Sequence, residues 1–276
     1  MLTFVGITSI RNCLVVDIDM SWAEALRKRM TKQGNKTTIT AFLLKAIGIA
    51  QQAHPDSRTM WLPFGNRAVF NDIAAGFTVE KLVNEIPVVF FGTIDAPDKK
   101  SLDTITGELS RYAQLSIGQL PRLAKEERFS RLPWLVRRFI LWLGVNHPFF
   151  RLAVNQATFG LTSLGKFGIK SLVSPCSNTS TFAIGSVEMR PVVFNDQIVA
   201  RPIMTLTYTF DQRVLDEGTA ARFLTEIRRL MEGELEGYLE SEEEERADSA
   251  KELVALSARR LHHHSNQLQE TISGCV

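Results

Sequence analysis

Two periodicities of apolar and polar positions share this chain. Residues 14–18 are rich in β-branched and aliphatic side chains and predict a strand. Ser21, with Glu24 three positions later, has the spacing of a capping box and predicts a helix to about Met30. A polar stretch with Gly34 and Asn35 follows. Thr40 then predicts the cap of a second helix over residues 41–53, where Phe42, Leu43, Ala46, Ile47 and Ala50 form a wide apolar face. His54-Pro55 ends it, because the residue before a proline is pushed out of the helical region.

Residues 68–79 and 86–94 read as strands, and a third helix is expected to start within Asp98 to Leu102 and reach about Ala113. Residues 157–161, 181–189 and 203–210 again suit strands. In the last, Met204, Leu206, Tyr208 and Phe210 alternate with Ile203, Thr205, Thr207 and Thr209, the period of two that a sheet requires. Residues 220–231, with Phe223, Ile227 and Leu230, predict the final core helix. Beyond Gly233 glutamate dominates up to Glu245. Strands interleaved with helices over residues 1–235 indicate one α/β domain, a mixed sheet flanked by helices. Residues 236–276 are expected to be an acidic, polar tail, helical or disordered.

Residues 132–152 are apolar but contain Arg137, Arg138 and Pro148, so they lack the run of about 20 apolar residues that a membrane span needs. The first expectation is a helix covering part of the core. The alternatives are a wall for an acyl chain or a surface resting on a membrane.

Composition excludes more than it selects. The apolar share of 45% allows a large core, and the net charge of +2 comes from mixed charges, with no basic face of the kind nucleic acid requires. Cys13, Cys176 and Cys275 are odd in number and far apart, which argues against a disulfide framework and for a reducing, cytoplasmic location. The opening residues lack a charged start ahead of a long apolar core, so no signal peptide is expected.

Two segments carry a family resemblance. Residues 158–168, TFGLTSLGKFG, resemble the TFTISNLGxxG signature of 2-oxoacid dehydrogenase acyltransferases. Residues 211–224, DQRVLDEGTAARFL, resemble their DHRVIDGAxAARFL signature. Between them, residues 183–187 with Arg190-Pro191-Val192 resemble the AILGVG…RPVV stretch. Residues 40–55 and 98–102 match two upstream patterns in the same order. The resemblance spans roughly residues 12–235 and implies a chloramphenicol-acetyltransferase-like fold. It also implies a homotrimer, a channel between subunits, and coenzyme A or acyl-CoA as co-substrate. No lipoyl or subunit-binding pattern is recognised, so the resemblance alone does not place the chain in a dehydrogenase complex.

What the resemblance implies about the site is specific. Its catalytic histidine falls on Gln212, and a carboxamide cannot accept and return a proton near neutral pH. A positioned base contributes about 10²- to 10⁴-fold. Thr162 matches the hydroxyl that hydrogen-bonds the oxyanion. Ser163, Gly165 and Arg213 fall where substrate binds. Asp216 matches an aspartate paired to an arginine, with Arg213 the candidate partner. Glu217 stands in place of a glycine, with Gly218 available to restore the turn by a one-residue shift. Glu217 and His147 are the candidate replacement bases, each weighed against an ordinary helix-start carboxylate and an ordinary turn histidine. His262, His263 and His264 sit in the polar tail without a second ligand cluster, and Cys176 has no adjacent base, so neither suggests a metal site or a nucleophile.

Three readings follow. The first is an acyltransferase of weakened or altered chemistry acting on a thioester of coenzyme A or a carrier protein. The second is a scaffold or ligand-binding pseudoenzyme. The third is a channel reused for a base-independent reaction such as a cyclisation.

Overall fold

The structure is a computed structural model describing residues 11–251, apart from 63–64, 84, 121–123, 125–126, 130, 148–149, 151–156, 175–177, 243, 245–247 and 249–250. Cys176, Cys275 and the histidines at 262–264 lie outside the described residues. The chain divides into two compact units, Met1–Gly233 and Glu234–Val276. In the second, residues 235–242 are helical.

The first unit is built on a six-stranded mixed sheet of order β1-β8-β7-β6-β4-β5. Its strands are β1 (Arg11–Asp19), β4 (Ala74–Val83), β5 (Ile86–Asp95), β6 (Phe159–Ser163), β7 (Ser180–Phe194) and β8 (Gln197–Asp211). β2 (Thr59–Trp61) and β3 (Arg67–Val69) form a separate two-stranded ribbon. The strand expected at residues 68–79 is therefore two strands in two sheets. The polar residues Asn71 and Asp72 between the halves mark the break. β6 pairs in parallel with both β4 and β7, and the other neighbours are antiparallel.

The helices are α1 (Ser21–Lys32), α2 (Ile39–Ala53), α3 (Leu102–Gln114), α4 (Trp134–Asn146) and α5 (Glu217–Arg229). Two expected caps differ. In α1 the expected Ser21–Glu24 capping box does not form: Asp19 Oδ1 accepts from the Ser21 amide at 2.9 Å, and Glu24 takes Arg27 as its partner at 2.6 Å. In α2 the cap is Thr38, not Thr40, its hydroxyl accepting from the Ala41 amide at 3.2 Å. Every residue from Ala41 to Gln51 is buried, Lys45 included. That lysine is tolerated because its ammonium donates to the carbonyls of Asp98 and Lys100 at 2.6 and 2.8 Å, which ties α2 to the turn before α3.

The core lies where α2 and α5 cover one face of the sheet. Phe182 on β7 stacks on Tyr208 of β8 at 4.7 Å, and Phe223 of α5 meets both rings edge-on at 6.0 and 5.6 Å. The threonines that alternate with the apolar residues of β8 are buried as well, at 7% exposure or less. The period of two thus marks two faces of different chemistry, not one wet and one dry face.

The expectation for residues 132–152 fails. Helix α4 buries none of its described side chains, and Leu135, Phe139, Trp134 and Trp142 are 70%, 62%, 61% and 52% exposed. An apolar segment predicts burial, but the described side chains of α4 are exposed or half-buried.

Candidate active site

The second signature folds into the turn between β8 and α5. Buried Asp211 closes β8 and holds the Arg213 side chain through both carboxylate oxygens, with Nε donating to Oδ1 at 2.9 Å. The Arg213 guanidinium lies over the ring of Trp61 at 5.6 Å. Arg67 lies over the same ring at 5.5 Å and donates to the Arg213 carbonyl at 3.2 Å. The arginine partner is therefore Asp211, not Asp216. Asp216 instead caps α5, accepting from the Thr219 amide at 2.8 Å and its hydroxyl at 2.9 Å. That amide bond first, then the hydroxyl, holds the Asp216 carboxyl below the usual carboxylate range.

Glu217 is the first residue of α5, and neither it nor Gly218 has a positive φ. The expected glycine-dependent turn is absent, because the Asp216 cap makes the reversal. Gln212 is exposed at the mouth of the turn, and its Nε2 donates to Glu217 Oε1 at 2.6 Å. The same oxygen accepts from Asn12 Nδ2 on β1 at 2.8 Å. Asn12, Asp211, Trp61 and Arg67 were missed as site residues. Asn12 and Asp211 flank recognisable patterns, while Trp61 and Arg67 sit in a segment with no pattern at all.

The first signature lies along β6: Phe159 is in register with Ser180 and Phe210, and the strand runs from there away from the β8–α5 turn. Thr162 is half-buried near the end of β6, paired with Ala183 of β7, and Ser163 beyond it is exposed. Gly165 then turns the chain back over β7. A Cβ on Gly165 would lie 3.1 Å from the Gly185 carbonyl, and one on Gly185 would lie 1.9 Å from the Lys170 carbonyl. Glycine is required at 185 because the returning backbone occupies the space of a side chain.

Within one chain the two signatures do not meet. The register places Thr162 beside Ala183 and Thr207, four residues short of Asp211 and two strands away from it. With about 4.8 Å between strands and about 3.3 Å per residue, Thr162 and Asp211 are roughly 16 Å apart. His147 joins neither half. It is exposed at the end of α4, edge-on to Phe150 at 5.5 Å. Among the described residues no group of three histidine, cysteine, aspartate or glutamate side chains could hold a metal ion.

This architecture is that of the dihydrolipoamide acetyltransferase catalytic cores. The Azotobacter vinelandii dihydrolipoamide acetyltransferase superposes with a TM-score of 0.64 at 21% identity, covering 84% of this chain and 85% of that one. The model of the 2-oxoacid dehydrogenases acyltransferase catalytic domain matches residues 152–239. The chain belongs to that family. It is 29% identical over 231 residues to the Pseudomonas putida lipoamide acyltransferase component of the branched-chain alpha-keto acid dehydrogenase complex, covering 79% of this chain and 46% of that one. With the Rickettsia prowazekii dihydrolipoyllysine-residue acetyltransferase component of the pyruvate dehydrogenase complex it shares 33% over 200 residues, covering 71% and 41%. The chain thus spans about half the length of the curated relatives it matches.

Proposed function

We propose that this protein binds an acyl thioester, of coenzyme A or of a carrier protein, in a channel formed between copies of the chain, and transfers the acyl group weakly for want of a base. The observation that carries this reading is the pairing of Gln212 with Glu217 inside an otherwise formed signature turn. In the transfer, an acceptor thiol loses its proton, its sulfur attacks the thioester carbonyl, and the tetrahedral oxyanion collapses to expel the donor thiolate, which takes up a proton. Thr162 of a neighbouring copy supplies the oxyanion donor, worth roughly 3 kcal/mol when correctly aimed. Gln212 offers hydrogen bonds but no proton exchange. A free thiol is a few per cent thiolate at neutral pH, so alignment alone sustains a slow reaction.

Study of the Azotobacter relative concerned the roles of a serine, a histidine and an asparagine in its catalytic mechanism, the asparagine four residues after the histidine. Asp216 stands four residues after Gln212, and Thr162 supplies the hydroxyl. Assembly of copies is supported by exposed apolar residues on two hairpins: Met189, Val193, Phe194 and Ile198 on β7–β8, and Leu82, Ile86 and Val89 on β4–β5.

The test is transfer from acetyl-, butyryl- and octanoyl-CoA to dihydrolipoamide, read as release of free coenzyme A. The wild-type rate should be low, and Gln212→His should raise it by about 10²- to 10⁴-fold. A folded, oligomeric Gln212→His protein that gains nothing would overturn this reading. It would favour the second one, a scaffold or ligand-binding pseudoenzyme, for which the exposed Gln212–Glu217 pair is the motivating feature.

A further inference from the structure

Helix α4 leaves a row of large apolar side chains uncovered. Leu135, Phe139 and Trp142 recur at spacings of four and three, so they form one outward row. Phe139 and Trp142 stack at 6.2 Å, and Arg138 lies over the Trp134 ring at 5.6 Å. Leu135, Arg138, Phe139 and Trp142 together line a shallow depression. On the helical wheel Arg138 lies beside the row, about 60° from Leu135, while Arg137 lies on the opposite side.

The charge of the segment is one-sided. From residue 128 to residue 151 the sequence holds arginine at 128, 131, 137, 138 and 151, and no aspartate or glutamate. Glu127, just outside, pairs with Arg131 at 2.6 Å. Thirteen residues at about 1.5 Å each give a helix of roughly 20 Å, short of the ~30 Å hydrocarbon core of a bilayer. No helix of the described residues is long and apolar enough to cross a membrane. A short helix with an aromatic row, flanking arginines and no acid is instead built to lie in the plane of a lipid surface. Its tryptophans suit the headgroup boundary, and its guanidiniums suit lipid phosphates.

We infer that α4 docks the protein on an anionic lipid bilayer, with Leu135, Phe139 and Trp142 entering the acyl boundary and Arg138, beside them, meeting the headgroups. Charge complementarity selects this occupant. A second copy of the chain would suit the largely aliphatic hairpin patches better than a face rich in tryptophan and arginine. A wall for the protein's own acyl ligand would turn inward, whereas this row turns out. The inference stands whether or not the chain transfers acyl groups.

The test uses the full chain and sedimentation with vesicles of phosphatidylcholine alone, or of phosphatidylcholine with phosphatidylglycerol. The protein should partition at least tenfold more strongly to the anionic vesicles, and the difference should shrink as salt rises. Phe139→Glu with Trp142→Glu should cut binding by tenfold or more, and Arg138→Gln should weaken the preference for anionic lipid. Lipids brominated on the acyl chain should quench the wild-type tryptophan fluorescence, and Trp134→Phe with Trp142→Phe should abolish that quenching. No sedimentation with anionic vesicles, or binding and quenching that ignore these substitutions, would overturn the inference. So would a loss of oligomer mass in the Phe139→Glu, Trp142→Glu protein with lipid binding intact, which would assign the face to a second copy.

Discussion

Gln212 and Asn12 converge on one oxygen of Glu217, their amide nitrogens 2.6 and 2.8 Å from Oε1. The pairing joins the start of α5 to the edge strand β1 and turns the Gln212 amide nitrogen toward the protein. At the position where the family resemblance puts a base stands a hydrogen-bond donor with a carboxylate in position behind it.

That carboxylate gives Gln212→His a second, sharper expectation. An imidazole at 212 beside Glu217 gains a negative neighbour that favours its protonated form and raises its pKa. Adding Glu217→Gln should shift the acidic limb of the pH–rate profile to lower pH and lower kcat. A profile that does not move between the two proteins would mean that residues 212 and 217 no longer touch.

Two glycines next to the signatures should behave oppositely. Gly185→Ala places a Cβ 1.9 Å from the Lys170 carbonyl, a backbone atom that cannot step aside. Overpacking of this kind costs about 1–3 kcal/mol or more, and urea melts should show it. Gly218→Ala sits in the first turn of α5, where the nearest contacts are side-chain atoms of Asp216 and Arg222. It should be neutral or stabilising by up to about 1 kcal/mol.

Arg213→Lys tests the clamp around Trp61. Lysine cannot engage Asp211 through two nitrogens or lie flat over the ring. Asp211 is 5% exposed, so its charge would be left poorly satisfied, and the protein should lose stability. A melting temperature equal to wild type would show that the two-nitrogen geometry is unimportant.

His54 sets an acid limit on stability. Burial against Phe223 disfavours its charged form and lowers its pKa below 6.5, with Arg222 adding to the effect and Glu226 and Asp56 opposing it. The folded state therefore binds its proton later than the unfolded state does. The contribution is complete above pH 6.5 and is lost as pH falls through the folded pKa. Between pH 7.5 and 5 the urea midpoint should drop, and His54→Asn should flatten part of that slope.

The sheet and its covering helices were legible because their signals are local. Tyr208 and Phe210 alternate with threonines, Phe42 through Ala50 form a face, and Pro55 ends a helix wherever it falls. The signature turns were legible as motifs. Their wiring was not, since Asp211 and Asp216 are chemically alike and only the β8–α5 geometry decides which one meets Arg213. Trp61 and Arg67 reach the site through a ribbon that pairs residues with no sequence regularity. Helix α4 was misjudged because hydropathy reports what a side chain would prefer, not whether the fold supplies a cover for it.

The gap of roughly 16 Å between Thr162 and the Asp211–Gln212 corner has a consequence for stoichiometry. No rotamer bridges it, so a lone polypeptide can never present hydroxyl and carboxamide to the same carbonyl. Turnover, wherever it arises, should fall steeply on dilution below the dissociation constant of the assembly. Two proteins crippled separately, one at Thr162 and the other at Gln212, should regain intact sites when their subunits are shuffled together.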